Sequence, residues 1–300
     1  MPRAWRLTSI LMVALLTFGT AILTGPAVPE VSAQQSGTLT PLGDGIYMYQ
    51  HTGYTTVFVV TNEGVLLGDP MGVSRSTALR DAIRSVTSQP VRWVVYSHDH
   101  SDHASGGAVF RGTAQFYAHQ NAIPRLEARR DPDVVMPDAA LGDRAVFTPG
   151  GRRVELHWVG RNHSNSSLVL FMPRERLVWA VDFIPIQTLP FRDLGDAWID
   201  EWIESISRVE QLDFTRIVPG HGDMGTREDV RAVREYLSEL WTSVQWYSFI
   251  GFDDATAITA ALRGRFRARY GSWAQFETFF PLNVQGMLRF LNDRNSGRIS

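Results

Sequence analysis

The sequence predicts an α/β protein. It reads as a four-layer αβ/βα sandwich, two sheets face to face with helices outside, followed by a helical C-terminal extension. Three observations predict it. One order of elements (hairpin, aspartate, helix, strand, histidine loop) occurs twice. The strands in both passes are short apolar runs bounded by turn residues, and the segments between them carry apolar residues at helical spacing. The 300 residues, 44% of them hydrophobic, are enough for one sizeable core. Two such halves facing each other leave a groove between their strand ends.

Residues 1–33 read as an export signal. Arg3 and Arg6 give a basic start, residues 7–24 are mostly apolar, and Val31-Ser32-Ala33 is a small-residue cleavage site. A retained membrane anchor is the competing reading, because the apolar run is long enough to be marginal. Gly19, Gly25 and Pro26 favour cleavage. The expected protein is periplasmic or secreted, begins near Gln34, and meets no membrane after cleavage. Residues 34–250 form its main domain, and residues 251–300 a helical extension packed on that domain.

In the first half, Ile46-Tyr47-Met48-Tyr49 reads as a strand. Residues 55–60 and 65–67, joined by Asn62-Glu63-Gly64, read as a hairpin ending at Gly68-Asp69-Pro70. A helix follows, with Ser76 as its expected cap, Leu79, Ile83 and Val86 as its apolar stripe, and Pro90 beyond its end. Val91-Arg92-Trp93-Val94-Val95-Tyr96 is the next strand. It runs into Ser97-His98-Asp99-His100-Ser101-Asp102-His103, where Gly106 and Gly107 let the loop bend.

In the second half, residues 154–159 read as a strand, with Asn162-His163-Ser164 after it. Residues 167–171 and 177–181 form a hairpin that ends at Asp182. Trp198, Ile199, Trp202, Ile203 and Ile206 mark a helix, and residues 214–218 a strand leading to Pro219-Gly220-His221-Gly222-Asp223. The second half is the longer, and its extra residues lie at 183–197. Beyond it, Thr226 with Asp229 resembles a capping box before the stripe of Val230, Val233, Leu237, Leu240, Trp241 and Val244. Asp253 or Asp254 starts a further helix, and Val284, Leu288 and Leu291 suggest a last one.

The formal net charge of −2 gives no electrostatic reason to expect a nucleic-acid partner. The chain has no cysteine, which excludes disulfides, thiolate zinc ligands and a thiol nucleophile. It has no lysine either: all 29 basic residues are arginine, so a Schiff-base lysine is excluded. A small-molecule substrate is the expected partner; oligomeric state is not legible.

His98, His100, Asp102 and His103 place four groups able to bind a metal within six residues, at the end of a predicted strand. Ligands usually bind at that edge of a sheet. Five of the eight histidines fall at strand ends of the repeated pattern, which weighs against a solvated loop that is histidine-rich by chance. Imidazole and carboxylate without thiolate suit zinc, and also iron or manganese. His51, His119 and His157 read as strand or core histidines.

The series His98-x-His100-x-Asp102-His103, His163, Asp182 and His221 resembles the ligand set of the metallo-β-lactamase-fold hydrolases, over roughly residues 40–245. The resemblance implies two zinc ions. His98, His100 and His163 would hold the first, and Asp102, His103 and His221 the second. Asp182 would bridge them, and Asp102 would also count as catalytic. Asp69 would orient the histidine loop without touching a metal. A bridging hydroxide would attack the carbonyl of an ester, lactone, thioester or amide.

The absence of cysteine and the presence of Asp182 resemble the glyoxalase- and lactonase-like branch more than the β-lactamases. β-Lactams stay admitted as a less favoured substrate. The lysine that anchors the drug carboxylate in many lactamases is missing, and Arg192 is the expected substitute. With Phe191, it would shape the substrate pocket from the longer loop. Two alternatives remain open: a mononuclear iron sulfur dioxygenase, and a non-catalytic metal-binding accessory protein of a periplasmic oxidoreductase system.

Overall fold

The structure is a computed structural model that describes residues 37–298; the export signal and the start near Gln34 lie outside the described residues. The described residues fall within one compact unit, Ser36–Ser300.

Among the described residues the first sheet has seven strands in chain order: β1 (Thr38–Gly43), β2 (Ile46–His51), β3 (Tyr54–Thr61), β4 (Gly64–Leu67), β5 (Val91–Val95), β6 (Gln115–His119) and β7 (Ala139–Leu141). β1 to β4 form an antiparallel meander; β4 to β7 run parallel. The parallel steps need crossovers. α1 (Val73–Val86) supplies one between β4 and β5. The short helices α2 (Ser101–Ala104) and α3 (Ala122–Arg129) follow β5 and β6.

The second sheet comprises β8 (Arg144–Phe147), β9 (Val154–Trp158), β10 (Leu168–Met172), β11 (Leu177–Trp179), β12 (Arg216–Val218) and β13 (Gly225–Thr226), in the spatial order β13-β12-β11-β10-β9-β8. Among the described strands of this sheet only β11 and β12 pair in parallel, and α4 (Ile199–Glu210) lies in that connection. α5 (Arg227–Phe249), α6 (Ala255–Tyr270) and α7 (Phe276–Asn295) close the chain.

Strand alternation builds the layers. In β3, Val57 and Val59 face the second sheet, where they join Leu168, Leu170, Leu177 and Trp179 in one buried cluster. Phe58 points the other way, to Leu79 and Ile83 of α1 and Leu126 of α3. In β10, Val169 and Phe171 leave the inter-sheet core and meet Trp202, Ile206, Leu237 and Phe280. The order is therefore helix, sheet, sheet, helix. The outer layer on the second sheet is a single core shared by α4, α5, α6 and α7. Each fully buried side chain of Phe size there contributes roughly 1.5–3 kcal/mol.

One local expectation changes. Ser76 is not the cap of α1. The helix begins at Val73 after Gly72, and Ser76 is buried in its first turn with Oγ donating to the Val73 carbonyl. Gly72 holds a positive φ of 81°, and the start of α1 abuts the histidine loop so closely that a Cβ on Gly106 would lie 2.6 Å from the Gly72 backbone. The cap of α6 is Asp254, which accepts from the N–H groups of Thr256 and Ala257. Thr226 and Asp229 do form a capping box at α5.

Candidate metal centre

Every histidine of the repeated pattern lies past the carboxyl end of a strand: His98, His100 and His103 after β5, His163 after β9 and His221 after β12. Asp182 follows β11 and holds a left-handed backbone, φ 66°. The two sheets bring these loops together. His98, His100, His163 and Asp182 form one group, and Asp102, His103, Asp182 and His221 a second; within each, the candidate ligand atoms lie within 4.8 Å of one another. Asp182 is common to both. Its Oδ2 is 3.6 Å from Nε2 of His98, 3.6 Å from that of His163 and 3.2 Å from that of His103, and its Oδ1 is 3.3 Å from His221 Nε2.

The outer face of each ring decides which nitrogen is free to coordinate. Asp69, fully buried, accepts from the Ser97 amide at 2.7 Å, from Ser97 Oγ at 2.6 Å and from His103 Nδ1 at 3.0 Å. The Ser97 hydroxyl is thereby committed to Asp69, so its lone pair takes the Nδ1–H of His98 at 2.8 Å. His221 Nδ1 donates to the Gly53 carbonyl at 3.1 Å. His98, His103 and His221 therefore present Nε2 inward. His100 is reversed: Nε2 donates to Asp196 at 2.8 Å, and Nδ1 faces His163 Nε2 at 3.0 Å.

The inward nitrogens meet each other rather than donors. His103 Nε2 and His221 Nε2 are 3.3 Å apart. Among the described residues, His98 Nε2 and Asp182 Oδ1 are buried without a hydrogen-bond partner. Buried polar atoms seldom go unpaired. Lone pairs converging from imidazole and carboxylate are the donor set of a divalent cation of borderline hardness.

The electrostatics agree. Burial, then the neighbouring His100 ring, hold His98 well below the usual histidine range, so it stays neutral and keeps its lone pair. Burial likewise lowers His163. For His103 burial works downward but is outweighed by Asp182 and Asp69, which raise it well above the usual range. Burial would raise the Asp182 carboxyl; His103, His98 and His221 together bring it well below the ordinary value. The pocket around Asp182 thus draws positive charge.

All seven expected ligands come together, and Asp69 lies behind them against His103 and Ser97. Phe191 and Arg192, on the longer loop, belong to neither ligand group: the Phe191 ring packs on Phe279 of α7 at 5.6 Å, with the Arg192 guanidinium over it. His119 stacks on Trp158, His157 bonds Glu155 and His51 meets Thr52, all outside both groups.

Several supporting residues carried no sequence signal. Asp196 sits in a segment without periodicity. Asp99 stands inside the histidine motif. It is fully buried, accepts from Ser164 Oγ at 2.6 Å and Ser166 Oγ at 2.8 Å, and pairs with Arg125 and Arg129 of α3. It thereby ties the loop of His98 and His100 to that of His163. Tyr54, beside the hairpin turn of β2 and β3, packs its ring against His221 at 4.4 Å, tilted by 58°, under the Arg75 guanidinium.

The comparisons with known proteins agree with this geometry. The family model described as the metallo-beta-lactamase superfamily matches residues 52–221. The chain is 29% identical over 205 residues to the 2,4-dinitroanisole O-demethylase subunit alpha of Nocardioides sp. (strain JS1661), covering 66% of this chain and 61% of that relative's length. It is 22% identical over 246 residues to the metallo-beta-lactamase type 2 of Bacteroides fragilis, covering 77% of this chain and 96% of the relative. Among solved structures, a metallo-beta-lactamase from Pontibacter korlensis superposes with a TM-score of 0.60 at 22% identity, over 67% of this chain and 99% of that one; at this identity the likeness is one of fold.

Proposed function

Since the chain belongs to the metallo-beta-lactamase superfamily and has a site able to hold metal, we propose that it is an exported, zinc-dependent hydrolase. Its substrate carries an ester, lactone, thioester or amide. The observation that carries the reading is the pair of ligand groups sharing Asp182. His98, His100 and His163 would hold one cation, Asp102, His103 and His221 the other, and Asp182 both.

The chemistry such cations supply when bound is Lewis acidity and water ionised near neutral pH, at a pKa of about 7. The chain's residues do the rest. Asp69, Ser97, Asp196 and the Gly53 carbonyl hold the outer ring N–H groups, so four imidazoles keep their lone pairs inward. Asp102 and His221, 43% and 42% exposed at their side chains, are the ligands nearest solvent and able to face a bound substrate. No serine, cysteine or lysine nucleophile is called on. The named action of the Nocardioides relative, O-demethylation of dinitroanisole, supports the view that this framework serves electrophiles other than β-lactams. Phe191 and Arg192 are proposed to border the substrate.

The test is elemental analysis of unchelated protein with a panel of esters, lactones, thioesters and a β-lactam. About two zinc ions per chain and turnover of at least one substrate are expected. His221→Ala should remain folded yet lose roughly 10–100-fold in activity, as changes around a metal commonly do. His119→Ala should match the wild type. One iron per chain with no hydrolysis would shift the reading to an oxygen-using enzyme, and no bound metal at all would end it. Export is checked by intact mass: periplasmic or secreted protein starting near Gln34 supports it, whereas full-length chain in the membrane fraction contradicts it.

A further inference from the structure

The segment 183–197 carries Asp196 to His100, yet it contains no helix or strand of its own. Three of its residues, Gln187, Arg192 and Leu194, hold positive φ without being glycine. Such backbone persists only where surrounding structure fixes it.

The fixing comes from the C-terminal helices. Asn283 of α7 is fully buried and is used three ways: Nδ2 donates to the carbonyls of Pro190 at 2.9 Å and Arg192 at 2.6 Å, while Oδ1 accepts from Tyr236 at 2.7 Å. One turn on, Gly286 lets the segment lie directly on the helix; any Cβ there would overlap the Asp193 carbonyl. A further turn on, Arg289 holds the Asp193 carboxylate at 2.6 Å and its carbonyl at 2.7 Å. Residues 283, 286 and 289 share one helix face. At the segment's other end, Gln187 and Leu189 pair with the backbone of Ala274. Asp196 follows Asp193 by three residues, within a turn closed by Ala197 N–H on the Leu194 carbonyl.

We propose that α7 is a positioning element of the metal centre. Through Asn283, Gly286 and Arg289 it holds the 183–197 segment so that Asp196 accepts a hydrogen bond from the Nε2–H of His100 and turns Nδ1 inward. The inference rests on the reading that the first group holds a cation. It assigns the C-terminal helices a task beyond covering the second sheet.

The test measures affinity for Zn²⁺ at each site by chelator competition, using His163→Ala and His221→Ala to identify which site is which. Gly286→Ala is the chief variant: alanine favours a helix more than glycine does, so α7 itself is not weakened, while the segment must move. Arg289→Ala, at a half-exposed side chain, carries the test if Gly286→Ala does not fold. Both should weaken the site that His163→Ala removes by about 10–100-fold, the range for partners of metal ligands. Asp196→Asn should do the same, and Gly286→Ala combined with Asp196→Asn should be no worse than the more damaging single change. The other site should be unaffected.

Unchanged first-site affinity in the α7 variants, while Asp196→Asn weakens it, would overturn the inference. Equal weakening of both sites would also overturn it, since a merely structural role does that. A wild-type chain that binds no Zn²⁺ overturns the functional reading itself, a result distinct from either.

Discussion

Asp69 shows how one carboxylate can organise a site it need not touch. Its two oxygens accept three hydrogen bonds; one sets the ring of His103 directly, and another fixes the Ser97 hydroxyl that sets the ring of His98. In Asp69→Asn one of those donors would face an amide N–H. An unsatisfied buried donor costs about 1–3 kcal/mol, and denaturant unfolding should show a loss of that size. Zinc affinity at the second group should fall roughly 10–100-fold; unchanged affinity would remove Asp69 from the centre. The residue was legible because an aspartate at the end of a hairpin, before a helix, recurs at Asp182. Asp196 and Asp99 were not. A carboxylate bonded to a ring from a distant loop leaves no periodic trace, and Asp99 looks like a spacer until α3 brings Arg125 and Arg129 beneath it.

Element by element, the sequence was readable where one physical signal dominated. The β3–β4 hairpin stands on its Asn-Glu-Gly turn and β-branched runs, and α5 on a capping box and a long apolar stripe. α3 is eight residues with a proline in its first turn and only Ala122 and Leu126 buried, too little pattern to register. β6, β7 and β8 are short and partly exposed, and only sheet pairing defines them. The box at α5 also gives a pH dependence. Burial would raise the Asp229 carboxyl, but the Thr226 amide and hydroxyl and the Gln187 amide outweigh it and hold it below the ordinary 3.8. A depressed carboxyl contributes stability above its unfolded value and loses it as pH falls through the folded one. Asp229→Asn should therefore cost about 1 kcal/mol at pH 7, a difference that shrinks as the pH drops below about 4. A cost independent of pH in parallel urea titrations would show that the charge of Asp229 plays no part.

At the scale of the molecule, each ligand group is drawn from both sheets. His100 and His163 are 63 positions apart, and His103 and His221 are 118 apart. A cation held between them closes loops of those lengths, as a disulfide would, in a chain that has no cysteine. On the chain-entropy account, a covalent link closing such a loop contributes roughly 4–5 kcal/mol; a reversible one contributes according to its occupancy, about 4 kcal/mol at a thousandfold excess over Kd. The melting temperature should therefore climb with free zinc and fall back in chelator, and it should do neither if the two halves hold together without an ion. If it climbs, the cross-link between the halves is a soluble component of the medium, and the durability of the fold would follow the supply of metal around the protein.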